Sequence, residues 1–277
     1  MTARDEGRST TRPQAPASSR RRPLISGNWK MHHDHVEALH TVRDLGLRLK
    51  PEDVATLDAS VHPPFTDLRT VQTIVEGERI PLALGAQHCS EHDRGAYTGE
   101  VSPQMLARLG VRYVIVGHSE RRRLFSMSDE TVASTLRAVL RHGMVPVLCI
   151  GETQSERDAG QTEARLSSQI AAAMGGLGTE QVAAMVVAYE PVWAIGAGCA
   201  ATPVDAEDAC AFVRTTVAGI SGDAAASALR IQYGGSVNAE NAADFMAEPD
   251  VDGLLVGGAS LEAATFVEIL RAARPPR

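Results

Sequence analysis

The sequence has few cysteines, no long apolar run and no dinucleotide-binding glycine motif, and each absence excludes a class of protein. Its four cysteines in 277 residues show neither the CxxC spacing of a zinc site nor the density of a secreted disulfide scaffold. No apolar run approaches the ~20 residues that a membrane-spanning helix needs. The first apolar run is followed by Gly27-Asn28-Trp29-Lys30, where a dinucleotide-binding sheet carries Gly-x-Gly-x-x-Gly. We therefore expect reduced thiols, a cytoplasmic location and no membrane partner.

Basic residues are outnumbered by acidic ones, 27 to 34, which gives a formal net charge of −7. Such a chain is not expected to attract nucleic acid or anionic membranes, and an anionic substrate needs a local positive site. The first 22 residues are the exception, because six arginines face only Asp5 and Glu6 there among Ser, Thr and Pro. This composition predicts a disordered tail over residues 1–22.

From Pro23 onward, short apolar runs alternate with amphipathic stretches. Strands and helices in strict alternation favour a parallel sheet covered by helices, and eight such units in about 250 residues match the size of a (β/α)₈ barrel. We therefore predict a single α/β domain of this type over residues 23–277. The eight runs are Leu24 to Gly27, Ala55 to Val61, Leu82 to Ala86, Tyr113 to Gly117, Val145 to Ile150, Met185 to Tyr189, Arg230 to Tyr233 and Gly253 to Gly257.

Polar side chains follow several of these runs, at points that a barrel brings to one mouth. Glu190 follows the sixth run, and a carboxylate there can act as a base. His118 follows the fourth run at a strand-to-helix turn, where the partial positive charge of the helix N-terminus disfavours the imidazolium and keeps the ring neutral. Asn28 and Lys30 follow the first run, and Lys30 supplies the cation that an acidic protein needs to hold a dianion.

Two glycine pairs follow the seventh and eighth runs, Gly234-Gly235 before Ser236 and Gly257-Gly258. Glycines leave backbone N–H groups open to close approach by an anion, and barrels often bind phosphate after these two strands. A base, a neutral donor, a cation and a phosphate cradle together predict proton abstraction beside the carbonyl of a small sugar phosphate.

Six motifs together resemble those of the triosephosphate isomerase family, in order and spacing, from about Pro23 to Ala273. They read Gly27-Asn28-Trp29-Lys30, Gly117-His118-Ser119-Glu120-Arg121-Arg122, Cys149-Ile150-Gly151-Glu152, Tyr189 to Gly196, Tyr233-Gly234-Gly235-Ser236-Val237 and Val256-Gly257-Gly258-Ala259-Ser260. The resemblance implies a glycolytic and gluconeogenic isomerase that needs no cofactor and no metal. That family is a well-known example of catalysis by a Glu base and a neutral His electrophile, and the resemblance implies the same chemistry here.

The resemblance also assigns roles to individual residues. Glu190 would move a proton between two carbons of dihydroxyacetone phosphate and glyceraldehyde 3-phosphate, and His118 would polarise the carbonyl. Lys30 would stabilise the developing negative charge with help from Asn28. The segment from Pro191 to Ala201 would close as a lid that excludes water. The phosphate would be held at Gly196, Ser236, Gly257 and Gly258, with Glu120 as the partner of Lys30 and Ser119 in support.

A long loop from His88 to Glu100 resembles the one that the family inserts into a second subunit. A loop this long in a compact barrel is usually functional, and it implies a homodimer in which Thr98 approaches the neighbour's active site.

The lid and one nearby turn depart from the family pattern. The lid reads Gly196-Ala197-Gly198-Cys199, where the family has Gly-Thr-Gly followed by Lys or Arg. Ser126-Met127 replace a Gly-Glu whose carboxylate can pair with an arginine of the preceding segment. These differences leave two alternatives open, an isomerase of a four-carbon ketose phosphate that uses the same mechanism, and an inactive sugar-phosphate-binding protein.

Overall fold

Eight parallel strands close into a barrel because β1 pairs with β2 on one side and with β8 on the other. A computed structural model describes residues 21–195 and 200–275 of the chain. Within them the strands are β1 (Leu24–Asn28), β2 (Asp58–His62), β3 (Ala83–Ala86), β4 (Tyr113–Val116), β5 (Val145–Ile150), β6 (Val186–Tyr189), β7 (Arg230–Tyr233) and β8 (Gly253–Val256). The predicted (β/α)₈ barrel is confirmed, and each of the eight apolar runs overlaps one strand.

Helices cover the outside of the barrel between successive strands. Several begin at a side chain that caps free backbone N–H groups: Asp34 accepts from Val36 N and Glu37 N, and Thr202 accepts from Asp205 N. In the described residues the helices are α1 (His35–Arg48), α2 (Leu68–Gly77), α3 (Pro103–Arg108), α4 (Ser119–Leu124), α5 (Asp129–Arg141), α6 (Gln154–Asp158), α7 (Thr162–Met174), α8 (Thr179–Ala183), α9 (Pro203–Ser221), α10 (Asp223–Ala228), α11 (Ala242–Ala247) and α12 (Ala263–Ala272). Short 3₁₀ turns occupy Pro51–Asp53, Val192–Ala194 and Gly258–Ser260.

Strand β2 begins at Asp58, three residues later than the apolar run predicts. The guanidinium of Arg22 accounts for the difference. It donates to the carbonyl oxygens of Val54, Ala55 and Leu57 at 2.9, 2.8 and 2.7 Å, respectively. These carbonyls are therefore bound by a side chain and not by a neighbouring strand.

Alternate residues of each strand point into the barrel, as a β-strand requires. Along β1 the inward positions are Leu24, Ser26 and Asn28, from the lower end to the mouth. The apolar interior cluster comprises Leu24, Tyr113, Ile115, Val147, Cys149, Val186, Ala188 and Leu255. A larger apolar core fills the space between the strands and the helices. The inward-pointing side chains at the carboxyl ends of the strands are therefore the ones that can contact a ligand.

The lower face of the barrel is held by arginine–carboxylate pairs. Arg21 Nε lies 2.6 Å from Asp252 Oδ1, and Arg22 Nε lies 2.7 Å from Asp58 Oδ1. Arg21 and Arg22 are the last two residues of the predicted tail, and both contact the barrel. Residues 1–20 lie outside the described residues. Among the described helices, none combines the length and apolarity required to cross a membrane.

Candidate active site

A pocket of about 320 Å³ opens at the carboxyl ends of the strands. It brings together the four predicted catalytic residues and the predicted phosphate residues Ser236, Gly257 and Gly258, from five different strand ends. A larger groove of about 450 Å³ lies at the opposite end of β2 and β3, but two of its charged groups, Arg22 and Asp58, are bonded to each other. The upper pocket is lined by Asn28, Lys30, His118, Glu190, Ile195, Gly234, Gly235, Ser236, Val237, Leu255, Gly257, Gly258 and Ala259.

Glu190 directly follows β6 and is only 2 % exposed. Its Oε1 lies 2.9 Å from His118 Nε2, and its Oε2 accepts from Ser119 N at 2.9 Å. Ser119 Oγ donates to Oε1 at 3.3 Å. Burial alone would raise the pKa of Glu190, but the His118 ring and the Ser119 N–H outweigh it and lower the pKa. The carboxylate is therefore ionised, as a base must be.

The residue that follows the neighbouring strand β5 leaves room for Glu190 only because it is a glycine. A Cβ at Gly151 would lie 1.8 Å from the carbonyl oxygen of Glu190, far inside any van der Waals contact. Glu190 N in turn donates to Ile150 O at 2.8 Å. Any larger residue at position 151 would displace the backbone that carries the carboxylate.

His118 is the N-cap residue of α4, and its ring orientation follows from that position. Glu120 N donates to Nδ1 at 3.2 Å, so in the neutral ring the proton lies on Nε2, which faces Glu190. Burial alone would lower the pKa of His118, but the carboxylates of Glu190 and Glu120 outweigh it and raise the pKa. The helix turn thus aims one N–H of His118 into the pocket.

Lys30 lies in the pocket in an unusual backbone conformation, with φ of 53°. A non-glycine residue in this left-handed region costs on the order of 1 kcal/mol. Three bonds hold it: Lys30 N donates to Asn28 Oδ1 at 3.0 Å, Gln87 Nε2 donates to Lys30 O at 2.7 Å, and Lys30 Nζ lies 2.7 Å from Glu120 Oε1. The ammonium is therefore fixed from both its backbone and its tip.

The glycine pairs after β7 and β8 line the pocket beside Lys30. A Cβ placed on Gly257 would lie 3.5 Å from Lys30 Cε, so the ammonium stem runs along this backbone. Ser236 is exposed at the same rim. The predicted phosphate residue Gly196 lies outside the described residues. Within them, no group of three or more His, Cys, Asp or Glu side chains is arranged to hold a metal ion.

Comparison with known proteins identifies the family to which the chain belongs. A family model described as "Triosephosphate isomerase" matches residues 23–273. The chain belongs to the triosephosphate isomerase family. Curated relatives with the name triosephosphate isomerase occur in Cutibacterium acnes (50% identical, over 90% of this chain and 97% of the relative), Saccharopolyspora erythraea (49%, 90% and 95%) and Corynebacterium diphtheriae (47%, 90% and 96%).

Two structural supports of this isomerase site have no predicted role in the sequence analysis. One is Gln87, whose amide binds the Lys30 carbonyl. The other is Glu152, which is fully buried and accepts from Tyr189 Oη at 3.1 Å and from Trp193 Nε1 at 2.9 Å. Burial raises the pKa of Glu152. Its place two residues after the fifth apolar run is the signal that could have found it.

The turn that departs from the family pattern has its own carboxylate. Arg122 pairs with Asp129, the first residue of α5, instead of with a residue at position 127. Arg165 reaches the same carboxylate, with Nη1 3.2 Å from Asp129 Oδ2. Met127, freed of that role, is buried. The charge pair expected to be lost is thus replaced from the next helix.

Proposed function

We propose that this isomerase interconverts dihydroxyacetone phosphate and D-glyceraldehyde 3-phosphate, with Glu190 as the base. The observation that carries the proposal is the convergence of an ionised carboxylate and an imidazole N–H, 2.9 Å apart, on one pocket that also contains Lys30. A carboxylate base beside an imidazole N–H can take a proton from carbon while the N–H polarises the adjacent carbonyl through a hydrogen bond.

Glu190 must exchange partners before it can react. Both of its oxygens are occupied, by the Ser119 N–H and hydroxyl and by His118 Nε2. Substrate that accepts the His118 N–H through its carbonyl oxygen releases the carboxylate to turn toward the carbon acid. His118 then loses Glu190, the stronger of the two carboxylates that raise its pKa, and its burial favours the neutral ring. A neutral ring can donate its Nε2 proton to the negatively charged oxygen of the enediolate and then take up the hydroxyl proton of the other oxygen.

The cation and the glycine pairs bind the substrate's phosphate and developing charge in this proposal. Lys30 runs beside Gly257, and Asn28 orients the Lys30 backbone through its side-chain oxygen. Backbone N–H groups at Ser236, Gly257 and Gly258 hold the phosphate, joined by Gly196 when the lid over residues 191–201 closes. Closure excludes water and so protects the enediolate from loss of phosphate.

The two alternatives are less well supported. An inactive binding protein has no need of a carboxylate positioned 2.9 Å from a histidine N–H. A four-carbon ketose phosphate fits the same chemistry, but the relatives at 47–50% identity bear the triose name. The described pocket contains no feature specific to the longer substrate.

The test is kcat/KM on glyceraldehyde 3-phosphate beside four-carbon ketose phosphates in one assay. We expect the triose value to approach the diffusional ceiling of ~10⁸ M⁻¹s⁻¹ and to exceed the four-carbon values by orders of magnitude. A weak triose rate with a faster tetrulose phosphate rate would transfer the mechanism to that substrate. The absence of turnover on either would favour the inactive protein.

We also propose a cytoplasmic homodimer formed through the loop from His88 to Glu100. The loop is closed at its base by Ser90 N donating to Val101 O at 2.8 Å, and it exposes Tyr97 and Thr98. Met31, beside Lys30, is 93 % exposed, an apolar side chain that a second copy can cover. Free buried thiols such as Cys89 suit a reducing compartment.

Sedimentation equilibrium tests the dimer. Wild-type protein should sediment as a dimer, and Thr98→Arg should shift it toward monomer because a charge then enters the contact. Leu47→Arg, at the exposed far end of α1, is the matched control and should remain dimeric. Wild-type monomer at all concentrations would refute the proposal.

A further inference from the structure

His62 is a fully buried histidine at the end of β2, outside the pocket lining. Its Nδ1 lies 3.2 Å from the carbonyl oxygen of Ala86, the last residue of β3. A carbonyl oxygen can only accept, so in the neutral ring Nδ1 carries the proton. Nε2 lies 3.2 Å from Ser60 Oγ, which also lies 2.9 Å from Ser26 Oγ. Each ring nitrogen thus has one polar neighbour, Ala86 O at Nδ1 and Ser60 Oγ at Nε2.

Gly85 leaves space for the His62 ring because it has no side chain. A Cβ at Gly85 would lie 2.3 Å from both Nδ1 and Cε1 of His62, so the imidazole rests directly on the backbone of β3. A larger residue at position 85 would force the ring away from the Ala86 carbonyl. The histidine and the glycine therefore fit each other as a pair.

The backbone of His62 is bonded to the neighbouring strand ends as well. Its carbonyl oxygen accepts from Trp29 N at 3.1 Å and from Gln87 Nε2 at 2.9 Å. The same Gln87 amide donates to Lys30 O at 2.7 Å. One residue thus links the ends of β1 and β3: its ring binds the residue before Gln87, and its carbonyl binds the Gln87 side chain.

We propose that His62 is a positioning residue for Lys30, acting through Ala86 and Gln87. The ring fixes the end of β3. This places the Gln87 amide where it can donate to the carbonyl oxygen of Lys30, whose backbone is in the left-handed region. This inference rests on the proposed role of Lys30 in binding the substrate's charge. Without the ring, Gln87 keeps its amide but loses the fixed backbone that aims it, and the ammonium moves relative to Gly257.

Two substitutions separate the ring's hydrogen bond from its volume. His62→Leu fills most of the space and removes the bond to Ala86. His62→Asn retains a side-chain N–H close to the position of Nδ1. We expect His62→Leu to raise both KM and the inhibition constant of inorganic phosphate about tenfold, the effect of one lost positioning bond, with a smaller fall in kcat. His62→Asn should stay within about twofold of wild type.

Ser60→Ala is the matched control, because it removes the other partner of the ring and leaves the Ala86 contact in place. It should change neither constant by more than about twofold. Equal damage from Ser60→Ala and His62→Leu, or no rescue by His62→Asn, would reduce His62 to a structural core residue and overturn the proposal. An inhibition constant for phosphate that is unchanged in His62→Leu would do the same.

A spectroscopic measurement applies even where a variant fails to fold. In wild-type protein with ¹⁵N-labelled histidine, the His62 ring should show a protonated Nδ1 and an unprotonated Nε2. The opposite tautomer would refute the bond to Ala86. Because phosphate inhibition constants can be replaced by phosphate dissociation constants, absence of triose turnover would contradict the proposed function and still leave this inference testable.

Discussion

Two buried histidines at strand ends of one barrel have opposite chemistry. His118 follows β4 and His62 ends β2, and both are less than a tenth exposed. The pKa of His118 is raised, since Glu190 and Glu120 outweigh its burial, whereas burial lowers the pKa of His62 from its ordinary value of 6.5 to about 4. In the neutral state the first ring carries its proton on Nε2 and the second on Nδ1.

The difference lies in the second partner of each ring. The backbone N–H of Glu120 takes Nδ1 of His118 and leaves an N–H for the pocket. The carbonyl of Ala86 takes the N–H of His62 and leaves nothing for a ligand. The start of α4 supplies a donor to His118 and the last residue of β3 supplies an acceptor to His62, so the local fold decides which histidine can take part in a reaction.

Shortening the carboxylate side chain of Glu190, beside His118, should have the largest effect on kcat. Glu190→Asp shortens the side chain, so the base no longer reaches the carbon acid, and kcat should fall by about 10²–10⁴-fold, the usual contribution of a general base. The inhibition constant of inorganic phosphate should stay near that of wild type. Steady-state kinetics measure both, with exposed Glu240→Asp as control, and retained turnover would exclude Glu190 as the base.

Replacing the imidazole ring of His118 should have the next largest effect on kcat. His118→Gln keeps a neutral N–H donor near the position of Nε2 but cannot pass a proton between two oxygens, so kcat should fall about 10²-fold with KM less affected. The fall should be larger than that of His62→Leu, which only displaces Lys30. If the two variants lose kcat equally, the two histidines do not differ in role as we infer.

The third prediction concerns stability and acts on the other histidine. The folded pKa of His62 lies below its unfolded value, so the unfolded chain binds a proton first, and stability falls as the pH drops from about 6.5 toward 4. For a shift from 6.5 to about 4 the loss is about 3 kcal/mol. Urea unfolding of wild type and His62→Asn at several pH values measures it. The stability difference between them should shrink by about that amount in acid.

The place of His118 in the pocket was predictable from the sequence, and the contacts of His62 were not. Apolar runs at regular intervals predict the strands, and polar residues at their ends predict a shared mouth, because parallel strands bring those ends together. His118 has such a place in the sequence, beside a helix start. This is why the fold and the set of pocket residues follow from pattern and resemblance, while the roles assigned to them stay predictions.

The contacts of His62 depend on residues far along the chain. Its ring needs the space above Gly85 and the carbonyl of Ala86, and no local pattern reveals that a residue 23 or 24 positions later will lie there. The same holds for Asp129 as the partner of Arg122. In both cases several partners are possible from the sequence, and the packing of neighbouring strands and helices determines which one is contacted.

The smallest predicted effect on kcat is that of changing Ser119, which contacts Glu190 beside His118. Its hydroxyl contacts Glu190 at 3.3 Å, while its backbone N–H bonds the same carboxylate at 2.9 Å. Ser119→Ala removes only the longer contact, whose net worth is about 0.5–1 kcal/mol. Because Ser119 binds the carboxylate before it turns to the substrate, kcat should change by no more than about fivefold. A loss as large as that of His118→Gln, measured in the same assay, would mean that the hydroxyl acts during proton transfer and that His118 shares its role with a second group.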